Sequence, residues 1–365
     1  MRKIYKKKQK YIFDKPLLVI SLILLAIGLV AVADASAPYA AKEFGDEFYF
    51  VKQQTLWAIV GIVSMFVFSR LNYKLWEKIA TPIFLVNILL LILLLIPSVG
   101  SQFLGARRWI LLGPISIQPS EFIKLSLAIF LAKVVVKKNQ VKSYFIPIII
   151  TSGLVMLQPD LGTTLVIVAM GMTQLFVSGV NLFHFIIALS AGLLGSFVLI
   201  ITSSYRRDRL LTFLDQTRDP LGKSYHLRQV LLALGTGGLM GVGLGQSRQK
   251  YLFLPETATD SIFAIIAEEV GFIGATILVF IFIAFIFRCL KISASAPDKF
   301  SQILSVGITA WIGSQILLNI GSMVSAVPLT GLPLPFISYG GSALVMVLSA
   351  VGILLNISKY AKEKT

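Results

Sequence analysis

Charge is scarce in this chain. Only 14% of its 365 residues are charged, and it has one cysteine and two histidines. A soluble domain carries about 25% charged residues, so an ordinary globular protein is excluded. Cys289 alone cannot form an internal disulfide, and two histidines cannot build a His-rich metal site. Acidic residues are the scarcer sign, 17 against 33 Lys+Arg. Alternating ten-residue strands are missing, which argues against an outer-membrane barrel. What the chain does have is apolar length: 56% hydrophobic residues and a mean hydropathy of +0.84. Uncharged apolar runs recur from residue 17 to residue 357. Lipid offers the backbone no hydrogen bonds, so these runs predict an all-α polytopic membrane protein.

Ten spans are expected, at 17–35, 53–69, 79–97, 119–136, 144–158, 161–178, 183–203, 261–287, 302–325 and 343–357. Segments 144–158 and 161–178 could form one broken hairpin around Gln158-Pro159-Asp160. A basic tail (1–16), a single transmembrane domain (17–357) and a short C-terminal tail (358–365) make up the chain. Segments 1–16, 70–78, 133–143, 288–299 and 358–365 hold 7, 3, 4, 3 and 3 Lys+Arg, against 2 each in 36–53 and 97–118. This bias places both termini in the cytoplasm and explains the net charge of +16 without nucleic acid. The first span resembles a signal peptide near Ala33-Asp34-Ala35, but its apolar core is too long, so an uncleaved anchor is expected.

A charge at the bilayer centre costs at least about 2.5–3.5 kcal/mol, so charges in spans are functional candidates. Glu121 and Lys124 share a helix face, as an ion pair or as the polar wall of a substrate cavity. Asp160 follows Pro159 and suits a helix cap, with substrate contact as the sharper alternative. Asp260 stands where the eighth span begins, as a cap or as a general base at the membrane surface. Glu268 and Glu269 are adjacent, about 100° apart on a helix, and read as structural.

The large outer loop, 204–260, carries 8 Lys+Arg, a helical stretch near 225–234 and six glycines in the eleven residues 235–245. That run has neither the surrounding βαβ unit of a dinucleotide fingerprint nor the Gly-Lys-Ser/Thr of a P-loop. Exposed backbone amides followed by Arg248 and Lys250 suit a phosphate or pyrophosphate, or an anionic lipid headgroup. The last outer loop holds Pro333-Leu334-Pro335-Phe336-Ile337-Ser338-Tyr339-Gly340-Gly341, a shaped apolar surface or re-entrant segment.

Together these runs resemble the SEDS family (shape, elongation, division and sporulation) of FtsW/RodA/SpoVE type. The motifs in order are Gly105-Ala106-Arg107-Arg108-Trp109-Ile110, the 118–124 run, Gln158-Pro159-Asp160-Leu161-Gly162-Thr163, the 206–215 run, Asp219-Pro220, the glycine run, the 254–269 run and the 333–342 signature. Phe213-Leu214-Asp215, Asp219-Pro220 and the passage from 243 to 256 favour the cell-division branch. The resemblance implies a glycosyltransferase that polymerises lipid II into β-1,4 glycan and releases undecaprenyl pyrophosphate. It places the essential carboxylate on Asp260, as general base. Arg206, Arg209, Arg248 and Lys250 are the expected pyrophosphate contacts, and Glu121, Lys124, Asp160 and Ser338 further substrate-site candidates. It implies no resident cofactor, with room for a divalent cation (Mg or Mn). A class B penicillin-binding protein and other division membrane proteins are the implied partners. An elongation-type polymerase, a lipid II flippase and a non-catalytic division scaffold are the alternatives. The chain departs from the family pattern where the common His-Thr-Asp-Phe reads Ala258-Thr259-Asp260-Ser261, and where Gly-Ser-Gly-Gly reads Gly235-Thr236-Gly237-Gly238.

Overall fold

The computed structural model describes residues 13–361, except 97–99, 104–105, 114, 138–140, 181–182, 184, 188–189, 191, 193–194, 196–200, 202–203, 215–223 and 252–256. The helices are α1 (Lys15–Phe44), α2 (Tyr49–Arg70), α3 (Lys74–Leu93), α4 (Pro119–Val136), α5 (Val141–Leu157), α6 (Leu161–Ser178), α7 (Ser204–Leu214), α8 (Tyr225–Gly237), α9 (Ile262–Ala294), α10 (Lys299–Met323) and α11 (Gly341–Lys359). Seven of them (α1, α2, α3, α6, α9, α10 and α11) are long and apolar enough to cross a membrane. The protein is an all-α polytopic membrane protein. The predicted seventh span, 183–203, lies largely outside the described residues.

Helix ends follow local chemistry. Asp14 accepts from the Leu17 N–H at the start of α1, and Gly45 closes that helix in the left-handed region at φ 68°. Asp298 and Ser301 form a reciprocal capping box on α10. In the core, α11 lies along α2, with Ser64 and Ser349 hydrogen-bonded between them at 2.6 Å. Trp311 of α10 and Phe282 and Phe285 of α9 are buried.

Three expectations change. The outer loop read at 36–53 shrinks to 45–48, because α1 continues through its polar end and α2 begins at Tyr49. Residues 101–117, read as loop, contain three antiparallel strands: β1 (Ser101–Phe103), β2 (Ala106–Leu112) and β3 (Ile115–Ile117). Leu112 pairs with Ile115 across a turn that contains Gly113 at φ 62°. The basic run at 204–214 is helix α7.

The glycine run has a specific structural partner. Helix α9 breaks at Gly271, whose φ of 69° and ψ of −173° leave the helical region. The N–H groups of Phe272 and Ile273 turn to the carbonyls of Gly238 and Leu239, at 2.9 and 3.2 Å. In exchange, Val242 and Gly243 donate to the carbonyls of Glu268 and Glu269, at 3.0 and 3.1 Å. The break is repaired bond for bond, as backbone at a membrane face requires. A side chain at Gly241 would sit 2.0 Å from the Glu269 carbonyl oxygen, which fixes glycine there.

Candidate functional site

Asp260 ends a turn (257–260) that leads through Ser261 into α9, and its side chain is half-buried. Four elements hold this turn. The Thr257 hydroxyl donates to the Ala35 carbonyl of α1 at 3.2 Å. The Tyr339 N–H donates to the Ala258 carbonyl at 2.8 Å, and the Ser338 hydroxyl to the Thr259 carbonyl. Asn319 of α10 donates from one amide group to the carbonyls of Asp260 (2.8 Å) and Leu332 (2.7 Å). On α8, His226 Nε2 shares a hydrogen bond of 2.7 Å with the Ser261 hydroxyl.

The 333–342 loop is itself clamped. Gln54 of α2 donates to the Ser338 carbonyl and accepts from the Gly340 N–H, both at 3.2 Å. Gln315 of α10 donates to the Pro333 carbonyl at 2.9 Å. Leu334, Phe336 and Ile337 are buried, and the Phe336 carbonyl packs on Gly28 in the middle of α1. The loop is therefore re-entrant, its irregular backbone shielded by protein. The Tyr339 hydroxyl donates to Gln53 Oε1 at 2.8 Å.

Of the expected substrate contacts, Ser338 joins Asp260 but has another task. Its hydroxyl donates to the Thr259 carbonyl and accepts from the Leu334 N–H, so it shapes the loop. Asp160 takes the capping position. It caps α6, with its two oxygens accepting from the Thr163 N–H and hydroxyl.

Glu121 and Lys124 form an ion pair at 2.7 Å, with side chains 2% and 0% exposed. They are sealed in the bundle and do not wall an open cavity. Lys124 also donates to Gln315 Oε1 (2.9 Å) and lies 5.2 Å from the centroid of the Trp311 ring. The pair thus reaches the 333–342 loop through Gln315. Lys124→Met should destabilise the protein by about 3–5 kcal/mol, because it leaves a buried carboxylate unpaired. Glu121→Gln in the same chain should recover most of that loss, read as the melting of monodisperse protein in detergent.

Lys250 does not present a free ammonium. It is 4% exposed and bonded to Asp34 (2.7 Å) and Glu269 (2.9 Å). Burial opposes its charge, but these two carboxylates outweigh burial and hold it above its ordinary value. Glu268 accepts from the Ser247 hydroxyl and Arg248 N–H, and Glu269 from the Ser247 N–H. In the glycine run, the Gly241, Val242 and Gly243 amides are already bonded, the last two to the α9 break. Arg248 is exposed. Arg206 and Arg209 fall on α7, their side chains outside the described residues, as are Asp215, Asp219, Pro220 and residues 252–256. Sequence reasoning missed Gln54, Gln315, Asn319 and His226. The first three were detectable as amides in apolar spans, where polar groups are costly.

Residues 15–363 match the family model described as cell cycle protein, of FtsW/RodA/SpoVE type. This chain belongs to that family. Stage V sporulation protein E of Bacillus subtilis is 43% identical to it, over 96% of this chain and 98% of that protein. A probable peptidoglycan glycosyltransferase FtsW of Trichlorobacter lovleyi is 39% identical, over 96% and 94%. Among solved structures, a chain from a study of how a peptidoglycan synthase complex coordinates polymerization and crosslinking aligns with a TM-score of 0.79 and 27% identity, covering 96% of this chain and 99% of that one. The rod shape determining protein RodA of Thermus thermophilus aligns at 0.71 and 26%, covering 96% and 98%. Of the FtsW/RodA/SpoVE motifs, the 333–342 signature is bonded directly to the turn that carries Asp260.

Proposed function

We propose that this chain is a peptidoglycan glycosyltransferase of the bacterial cytoplasmic membrane, with both termini cytoplasmic. It polymerises lipid II into β-1,4 glycan strands for the septal wall. The observation that carries this reading is the clamped Asp260 turn. A carboxylate carried on a turn that four elements hold, just before the start of α9, is preorganised as a general base. Asp260 takes the proton from the acceptor 4-hydroxyl. The acceptor oxygen bonds to the donor's anomeric carbon with inversion, and the bond to pyrophosphate breaks, its electron pair leaving with undecaprenyl pyrophosphate. Arg248, with Arg206 and Arg209 of α7, stabilises the departing charge. Among the described residues no three His, Cys, Asp or Glu side chains converge on a metal site. A divalent cation would be carried by the pyrophosphate.

A class B penicillin-binding protein would crosslink the strands, beside other division proteins. The test uses the purified chain with such a partner, its transpeptidase serine inactivated, and fluorescent lipid II. Polymer with release of undecaprenyl pyrophosphate supports the reading. Lipid II moved across vesicles without polymer would favour a flippase, and binding alone a scaffold. The 43% identity to a sporulation protein favours a second setting for the same chemistry, the spore wall. Depletion in growing and in sporulating cells separates the two.

A further inference from the structure

Ser261 occupies the N-cap of α9, yet its side chain makes no capping hydrogen bond. A serine at that position ordinarily accepts from the second or third amide of its helix. Here the hydroxyl is fully buried and bonded to His226 Nε2 at 2.7 Å. His226 comes from α8, a different element, 35 residues earlier. That helix is seated without slack. Leu227, Val230 and Ala233 are buried, and a side chain at Gly237 would lie 2.4 Å from the Ala267 carbonyl oxygen, so α8 and α9 touch backbone to backbone. The imidazole is thereby held on the residue that follows Asp260. It adds to the bonds that Tyr339, Ser338 and Asn319 make to residues 258–260.

From this geometry we infer that His226 is a positioning residue for Asp260, acting through Ser261, an inference that rests on the glycosyltransferase reading above. The other anchors grip backbone carbonyls and fix where the turn sits. The His226–Ser261 bond fixes the peptide after Asp260 and so the direction of the carboxylate toward the acceptor hydroxyl. It falls at one of the positions where this chain departs from the family pattern, Ser261 in place of phenylalanine. The imidazole that the family pattern carries at 258 is absent, and this second one stands on the other side of the aspartate.

The test measures lipid II turnover by the complex with the penicillin-binding protein, each variant matched for monodisperse protein. A misaimed catalytic group costs up to about 100-fold. His226→Ala and Ser261→Ala should each lower kcat by about 10- to 100-fold, with KM little changed. The double variant should be no slower than the slower single one, because both remove the same bond. His226→Gln, which keeps a hydrogen bond to Ser261, should recover to within about threefold of wild type. Should His226→Ala not fold, Ser261→Ala and His226→Gln carry the comparison. Wild-type turnover in His226→Ala, a loss in KM alone, or fully additive losses would overturn the inference and leave the glycosyltransferase reading standing. No polymer from the wild type would overturn both.

Discussion

Asp260→Asn should slow polymerisation by about 10²–10⁴-fold, the usual contribution of a positioned general base, while leaving the fold intact. The substitution preserves shape and removes the ability to take a proton. Tyr339, Ser338 and Asn319 hold the turn by the carbonyls of Ala258, Thr259 and Asp260. The variant should therefore elute, melt and bind its penicillin-binding protein as the wild type does. Turnover of fluorescent lipid II at saturating substrate reads the effect. A loss below tenfold would take Asp260 out of the proton transfer, and a variant that aggregates would show that its charge serves the fold.

Gly28→Ala should be destabilising although it improves the helix. Alanine is favoured over glycine in a helix interior by about 1 kcal/mol. Against this, a Cβ at residue 28 would lie 2.1 Å from the Phe336 carbonyl oxygen and 2.8 Å from Ile337 Cα. Backbone cannot rotate aside as a side chain can, so the re-entrant loop must move, and overpacking costs about 1–3 kcal/mol. Displacing that loop strains the bonds from Ser338 and Tyr339 to the Asp260 turn, so activity should fall at least tenfold, as for a misplacement of about 1 Å. The control is Gly153→Ala in α5, where a Cβ meets nothing within 4 Å. It should be neutral or slightly stabilising. Equal melting and equal activity of the two variants would contradict the packing argument.

The spans were legible where long apolar runs meet a charge or a cap. Both α4 and α6 have the bounds that Pro119 and Asp160 announce. Where polar residues continue a helix, as from Ser36 to Phe44 in α1, hydropathy stops short of the true end. The strands at 101–117 were missed because a three-residue strand offers too few positions to display alternation. In the site, Asp260 was visible as a carboxylate at a span boundary. Ser338 was singled out, and Gln54 and Asn319 were detectable as amides in apolar spans, but their link to Asp260 was hidden, because they are distant in sequence and act through backbone groups that every residue possesses. The pairing of Lys250 was hidden because charge counts cations without saying which are already paired. Asp34 lies 216 residues away from it.

The clamp on Asp260 also dictates when the protein can work. Its parts come from α1, α8, α10 and the loop before α11, and the Ser338 and Tyr339 bonds are supplied by the final tenth of the chain. Chains leave the ribosome from the N-terminus onward at about 5–20 residues per second. A nascent chain therefore holds Asp260 for several seconds before the pieces that clamp its turn exist. Insertion of α11 completes the polymerase, so a half-made protein in the membrane contains the carboxylate without the enzyme.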